Sequence, residues 1–186
     1  YLSCDCVHTK YFFRFCTRSK RVPVDIIRWV IKTLERQNKI VNFVQFDEGG
    51  ELARNYEIPK MLTEEFNIVM QSIGGYVSHL NGITQRGHRT DSDNVCAALY
   101  SANLPDEYWC FALMHSNFIT RRWCKYPDKV TPYEKWNQQK PSFSKFHIFG
   151  ATIYVHNHKA KKMDPKAITG IFLGYGASTA VMYYQD

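Results

Sequence analysis

The sequence predicts an α/β core closed by a small β-rich extension at its C-terminal end. Three observations carry that expectation. Ile26, Ile27, Val30, Ile31 and Leu34 recur at the spacing of a single helix face. Short β-prone runs at residues 11–16, 40–46 and 67–72 alternate with that helix and with a second, shorter helical segment. After Pro141 the helical period disappears, and three short runs of β-branched and aromatic residues take its place. Alternating strands and helices bury their apolar faces on each other in layers, whereas a terminal run of strands needs a small sheet of its own.

Taken in order, residues 1–18 predict two short strands around a turn: Tyr1–Cys4 leads into Asp5, and Tyr11–Cys16 is rich in aromatics. Residues 23–37 predict a helix, with Pro23 in the first turn, where its missing N–H costs nothing. Residues 40–46 read as a strand that runs into Asp47-Glu48-Gly49-Gly50-Glu51. A short helix at residues 58–66 and a strand at 67–72 follow, then a glycine-containing loop from Gly74 and a long helix over residues 80–102. Pro105 marks the start of another helix, on which Trp109, Ala112, Leu113 and Ser116 share a face. Thr131-Pro132 predicts a capped helix start. The terminal strands are expected within residues 147–156, 168–175 and 180–186, the first two separated by the basic stretch Lys159–Lys166. There is no internal repeat or low-complexity block. Sheet order stays open at this level.

The chain has 186 residues, 45% hydrophobic and 15% aromatic, enough for a buried core and unlike a disordered segment. One domain, or one domain with a small appendage, is expected. No run approaches the roughly 20 apolar residues needed to span a bilayer. The start, Tyr1-Leu2-Ser3-Cys4, lacks the basic and then apolar build of a signal peptide, and its abrupt strand-like opening predicts a piece cut from a longer polyprotein. A net charge of +7 favours an anionic partner, with ordinary surface charge as the plain alternative. Cys4, Cys6, Cys16, Cys96, Cys110 and Cys124 match neither a zinc pattern nor a compact secreted framework, so buried free thiols are expected.

Two aspartates, Asp5 and Asp47, close strands. Carboxylates at the ends of neighbouring strands can converge on a divalent cation, although aspartate in that position is also a common turn former. Gly49 and Gly50 would let the chain turn sharply beside Asp47. Arg86, His88 and Arg89 lie near the start of the long helix, where phosphates could be met, or could form a solvated face. Lys159, Lys161 and Lys162 could likewise contact DNA or lie in a solvated loop. His156 and His158 would share a strand face without an acidic or thiol partner and read as surface. Trp109, Trp123 and Trp136 are expected to be core anchors rather than base-stacking platforms.

Several stretches in order resemble the integrase core of copia-type LTR retrotransposons. VQFDEGGELA (residues 44–53) is similar to the segment around that family's second catalytic aspartate. GGYVSHLNGITQRGHRT (residues 74–90) resembles its Asn-Gly-Val-x-Glu-Arg-x-x-Arg-Thr helix start. LPDEYWCFAL (residues 104–113) resembles a Leu-Pro-x-x-x-Trp-x-x-Ala helix of the family. TPYEKWNQQKPSFSKFHIFGATIYVH and KKMDPKAITGIFLGYGAS (residues 131–156 and 161–178) resemble its C-terminal signature. The resemblance covers nearly the whole chain.

That resemblance implies a ribonuclease H-like mixed sheet flanked by helices over residues 1–140, with the β-rich extension at residues 141–186. It implies a polynucleotidyl transferase in which an Asp, Asp, Glu trio holds two divalent metals, Mg²⁺ or Mn²⁺, for in-line displacement at phosphorus. The work implied is trimming the element's DNA ends and joining them to target DNA, as a homo-oligomer in the nucleus or a virus-like particle of a eukaryotic host, with no membrane partner. Asp5 and Asp47 match the first two acids, Asp5 with a one-residue offset in the turn that follows it. The third slot holds Gln85, which is nearly isosteric with glutamate but neutral. Asp91 and Asp93 on the same helix, and Glu48 and Glu51 beside Asp47, are expected not to replace it. Metal affinity follows ligand charge, so impaired catalysis is expected, with Arg86, His88, Arg89, Lys159, Lys161 and Lys162 as DNA contacts. A non-catalytic DNA-binding or assembly protein from a decayed or host-adopted element is the alternative, and a nuclease with a remodelled metal site a third.

Overall fold

A computed structural model describes residues 1–18, 24–47, 55–73, 78–123, 129–176 and 181–184. Pro23, Glu48, Gly49, Gly50, Glu51, the loop from Gly74 to Val77 and Cys124 lie outside the described residues. The architecture is mixed α/β. The chain divides into two compact units: Tyr1–Leu2 with Cys16–Gln85, and Ser3–Phe15 with Arg86–Asp186.

The first unit is built on helix α1 (Val24–Arg36), whose stripe buries Val30, Ile31 and Leu34 as its spacing predicts. Asp25 in its first turn and Arg36 in its last complement the helix dipole. The helix stops at Asn38, which takes a left-handed φ of 55°. The Asn38 N–H then donates to the Glu35 carbonyl at 2.9 Å, and the Lys39 N–H to that of Leu34 at 2.9 Å. This pairing satisfies two carbonyls the helix end would otherwise leave open. Strands β3 (Phe43–Asp47) and β4 (Val69–Ile73) pair in parallel, with Phe43 opposite Val69 and Asp47 opposite Ile73. They are joined by helix α2 (Glu57–Lys60), which continues as one π-helical turn, Met61–Glu65. Ile58 and Leu62, each 1% exposed, pack with Ile31, Met61 and Ile68. Burying side chains of this size stabilises by about 1.5–3 kcal/mol each.

In the second unit, β1 (Leu2–Asp5) and β2 (Phe12–Phe15) pair as a two-stranded sheet. The turn between them closes with the Cys6 N–H on the Tyr11 carbonyl at 2.7 Å and the Lys10 N–H on the Cys6 carbonyl at 2.9 Å. Helix α3 (Ser78–Ala102), whose residues from Arg86 onward belong to this unit, ends at Asn103, again left-handed, with the Leu104 N–H on the Leu99 carbonyl at 3.1 Å. A 3₁₀ turn (Asp106–Tyr108) opens helix α4 (Trp109–Arg122), which packs on β2, on the short helix α5 (Pro132–Asn137) and on β6. α5 has the cap its sequence predicts: the Thr131 hydroxyl accepts from the Glu134 N–H at 3.0 Å, with Pro132 in the first turn. β5 (Thr152–His156), β6 (Ala167–Tyr175) and β7 (Val181–Tyr184) form an antiparallel sheet in the order β5-β6-β7. Its core joins Leu99, Ala112, Phe149 and Leu173.

Among the described residues the strands pair as three small sheets, β1-β2, β3-β4 and β5-β6-β7. Two expectations about side chains are corrected. Trp136 is a core anchor at 7% exposure, but Trp109 and Trp123 are 37% and 63% exposed. Trp109 opens its helix, where part of the ring faces outward whatever the period of the sequence. Cys16 and Cys110 are disulfide-bonded. Cys4 and Cys6 are free and half-buried, and Cys96 is free and exposed. Disulfide pairing depends on tertiary proximity, which spacing along a chain does not report.

Candidate functional site

Asp5 is the last residue of β1, and the pleat of β2 decides what meets it. Phe12 and Arg14 lie on the buried face of β2, while Phe13 and Phe15 lie on the half-buried side. Arg14 is therefore carried inward, with a side chain only 3% exposed. A buried guanidinium is tolerated only when counter-charge and hydrogen bonds surround it. Here Nη1 donates to Asp5 Oδ1 and Nε donates to Asp91 Oδ2, the latter at 2.6 Å. The guanidinium also lies 4.5 Å from the centre of the Phe12 ring. Asp91 belongs to α3, its side chain only 8% exposed, while that of Asp5 is 27% exposed. The second Asp5 oxygen accepts from the Ser3 hydroxyl at 3.2 Å.

Gly87, one turn before Asp91, brings the α3 backbone up to the same cluster: a Cβ there would stand 3.5 Å from Arg14 Nη2. Burial disfavours the Arg14 cation, but the charge and hydrogen bond of Asp5, together with those of Asp91, outweigh it and raise its pKa above the ordinary value. Burial lowers the His88 pKa, the Arg14 charge adds to that, and Asp91 and Asp5 oppose it. The Cys4 thiol is pushed up to about 11, first by burial and then by the Asp5 charge, against the pull of Arg14.

The remaining residues named from sequence fall as follows. Asp47 closes β3 in the first unit, as expected. Gln85 also belongs to that unit and is exposed on α3. Arg86 and Arg89 are exposed, and His88 is half-buried. Lys159, Lys161 and Lys162 are exposed on the connection between β5 and β6. That connection is a tied turn: the Asn157 N–H reaches the Lys166 carbonyl at 2.8 Å, and the Lys161 N–H reaches Asp164 Oδ2 at 2.8 Å. Tyr154 and His156 stand exposed on β5 beside it, and the rings of His156 and His158 lie 4.7 Å apart.

The sequence reading missed Arg14 and discounted Asp91. The available signal was the single basic residue in the otherwise apolar and aromatic run Tyr11–Cys16. Among the described residues no group of three or more His, Cys, Asp and Glu side chains is arranged to hold a metal. A recess of about 310 Å³ in the first unit has an apolar floor of Ile31, Val41, Phe66 and Ile68 and a rim including Glu35 and Lys39. No helix among the described residues is long and apolar enough to cross a membrane.

No protein-family model matches the chain, and no solved structure matches it. It is 30% identical over 181 residues to the retrovirus-related Pol polyprotein from transposon TNT 1-94 of Nicotiana tabacum, across 90% of this chain and 14% of that polyprotein. It is 25% identical over 145 residues to the corresponding polyprotein from transposon RE1 of Arabidopsis thaliana, across 75% of the chain and 9% of the polyprotein. A third relative, from transposon RE2 of Arabidopsis thaliana, is 26% identical over 101 residues, across 51% of the chain and 7% of the polyprotein. The chain thus spans a small part of each relative's length. Over most of its own length it is similar to a segment of plant retrotransposon Pol polyproteins.

Proposed function

We propose that this chain is the integrase core of a copia-type retrotransposon, with a ribonuclease H-like fold, and that its metal-dependent DNA processing and joining are impaired. The ordered motifs support the family, and the similarity to plant Pol polyproteins agrees with it. The observation that carries the impairment lies at the first acidic position. Asp5 is the counter-charge of buried Arg14, and the third position holds the neutral, exposed Gln85.

These two residues fit poorly to a pair of divalent ions. Of the trio's expected three charges, Gln85 contributes none, and one oxygen of Asp5 already accepts from a guanidinium that it shares with Asp91. Mg²⁺ or Mn²⁺ binding through Asp5 and Asp47 is therefore weak in this reading. When bound, such ions would activate the attacking oxygen and stabilise the leaving one. What the chain's own residues supply is attraction for the DNA backbone. Arg86 and Arg89 on α3, and Lys159, Lys161 and Lys162 on the β5–β6 turn, are exposed cations suited to phosphate contacts, and His88 lies among the first group. Element ends and target DNA are the proposed partners, a homo-oligomer the proposed assembly, and the nucleus or a virus-like particle the proposed location.

The same two features favour a second reading, in which the fold and basic surface serve DNA binding or assembly without chemistry. A DNA-joining assay in Mg²⁺ or Mn²⁺, with the wild type and Gln85→Glu, separates them. Little or no joining by the wild type and recovery by Gln85→Glu support the impaired integrase. Inactivity of both, with DNA binding retained, supports the non-catalytic protein. Robust joining by the wild type removes the impairment.

A further inference from the structure

Arg14 is the most deeply enclosed charge described in the second unit, and it lies where the family reading expects one edge of a metal centre. We propose that Arg14 is the resident cation of this site, so that Asp5 is a structural counter-ion within the β1–β2 hairpin, whose Arg14 is fastened to α3 through Asp91, rather than a metal ligand. This rests on the preceding reading only in taking Asp5 as the first acid of the trio.

The geometry distributes the guanidinium between two carboxylates through different nitrogens, Nε to Asp91 at 2.6 Å and Nη1 to Asp5. Asp91 lies on α3 and Asp5 ends β1, so one side chain ties three elements together. Phe12 covers one face of the guanidinium, and the Ser3 hydroxyl takes the other Asp5 oxygen. A divalent ion brought to Asp5 would meet a carboxylate already shared with Arg14 and would add positive charge beside a buried positive group.

The proposal and its rival predict opposite signs for one substitution. In an empty metal centre the carboxylates repel each other, so neutralising one leaves the metal-free protein as stable or more stable. For a carboxylate bonded to a buried guanidinium, neutralisation replaces a charge-assisted hydrogen bond with a weaker neutral one and leaves the offset of the cation to Asp91, which destabilises.

The test is thermal unfolding of the full chain in EDTA for the wild type and Asp5→Asn, with Mn²⁺ then titrated into both. The expected result is a fall in Tm of about 4 °C or more for Asp5→Asn in EDTA. No Asp5-dependent rise in Tm with Mn²⁺ is expected in the wild type. An unchanged or higher Tm for Asp5→Asn in EDTA overturns the proposal, as does a Mn²⁺-induced rise in the wild type that Asp5→Asn abolishes. If Asp5→Asn does not fold, Mn²⁺ binding followed by electron paramagnetic resonance decides between the wild type and Arg14→Gln/Asp91→Asn. That double variant removes the cation together with its buried counter-charge. At least several-fold tighter Mn²⁺ binding by the double variant supports the proposal, and equal binding overturns it. Robust DNA joining by the wild type together with a destabilised Asp5→Asn would remove the impairment and leave the counter-ion role standing, so the two can fail separately.

Discussion

Gly150 lies so close to Ala102 that a Cβ at position 150 would stand 2.3 Å from the Ala102 Cβ and 3.1 Å from its Cα. The same glycine has a φ of +77°, which side chains disfavour. Its N–H donates to the Phe172 carbonyl at 2.9 Å, tying the approach to β5 onto β6. Gly150→Ala therefore combines backbone strain with overpacking, and a loss of about 2–4 kcal/mol is expected. Chemical denaturation measures it. Ala102→Gly in the same background should recover the larger part of the steric cost, the contact with the Cα remaining, and leave the strain.

The His115 ring packs against Phe149, Phe172 and Tyr175, and its Nε2–H donates to the His147 carbonyl at 3.0 Å. Burial lowers its pKa from 6.5, against the opposing effect of that hydrogen bond. The sign follows from linkage: as pH drops through about 6.5, the unfolded chain takes up a proton that the folded chain refuses until lower pH. The contribution is thus intact above the ordinary histidine value and lost as pH falls below it. Tm is expected to fall between about pH 7.5 and pH 5.5. His88, whose pKa is lowered too, contributes with the same sign. His115→Gln, which can still donate to the His147 carbonyl, should therefore make that profile shallower, and an equally steep one in the variant would contradict the assignment.

What was legible in the sequence was what local chemistry decides. The stripe of Ile26, Ile27, Val30, Ile31 and Leu34 gave α1, because one face must repeat every three or four residues to be buried. Thr131, Pro132 and Glu134 gave the start of α5, because the cap is made within four residues of sequence. The stops at Asn38 and Asn103 were less visible, since asparagine is only one of several residues that take the left-handed conformation. The pairing of Arg14 with Asp91 spans 77 residues, and no local pattern encodes it. The sequence placed Asp5 correctly at a strand end but could not show that a basic residue on the next strand would reach it. Asp91 lies six residues beyond Gln85 and so on another side of the helix, which bears on ligands for a shared ion but says nothing about partners on β2.

Cys4 and Cys96 should differ in reactivity. Cys4 is half-buried with its thiol pushed up to about 11, whereas Cys96 is exposed. Alkylation proceeds through the thiolate. Brief iodoacetamide treatment near pH 8 is therefore expected to modify Cys96 while leaving Cys4 largely unmodified, as read by peptide mass mapping. Faster labelling of Cys4 than of Cys96 would show that the Asp5–Arg14 environment does not hold in solution.

The basic turn offers a test of DNA contact that leaves the fold in place. Its hydrogen bonds use the backbone of Lys161, whose N–H reaches Asp164 Oδ2 and whose carbonyl accepts from the Asp164 N–H at 3.1 Å. The side chains of Lys161 and Lys162 are exposed, so replacing both with glutamine should leave Tm nearly unchanged. If each ammonium neutralises one phosphate, the pair releases about two counterions on binding duplex DNA. The slope of log affinity against log salt concentration should then become shallower by roughly 1.8 in the double variant. Fluorescence anisotropy with a labelled duplex across a salt series measures both slopes. Because these contacts are to the backbone, the loss should be similar for duplexes of unrelated sequence. An unchanged slope would move the DNA contact away from this turn and leave Arg86 and Arg89 on α3 as the cations to test next.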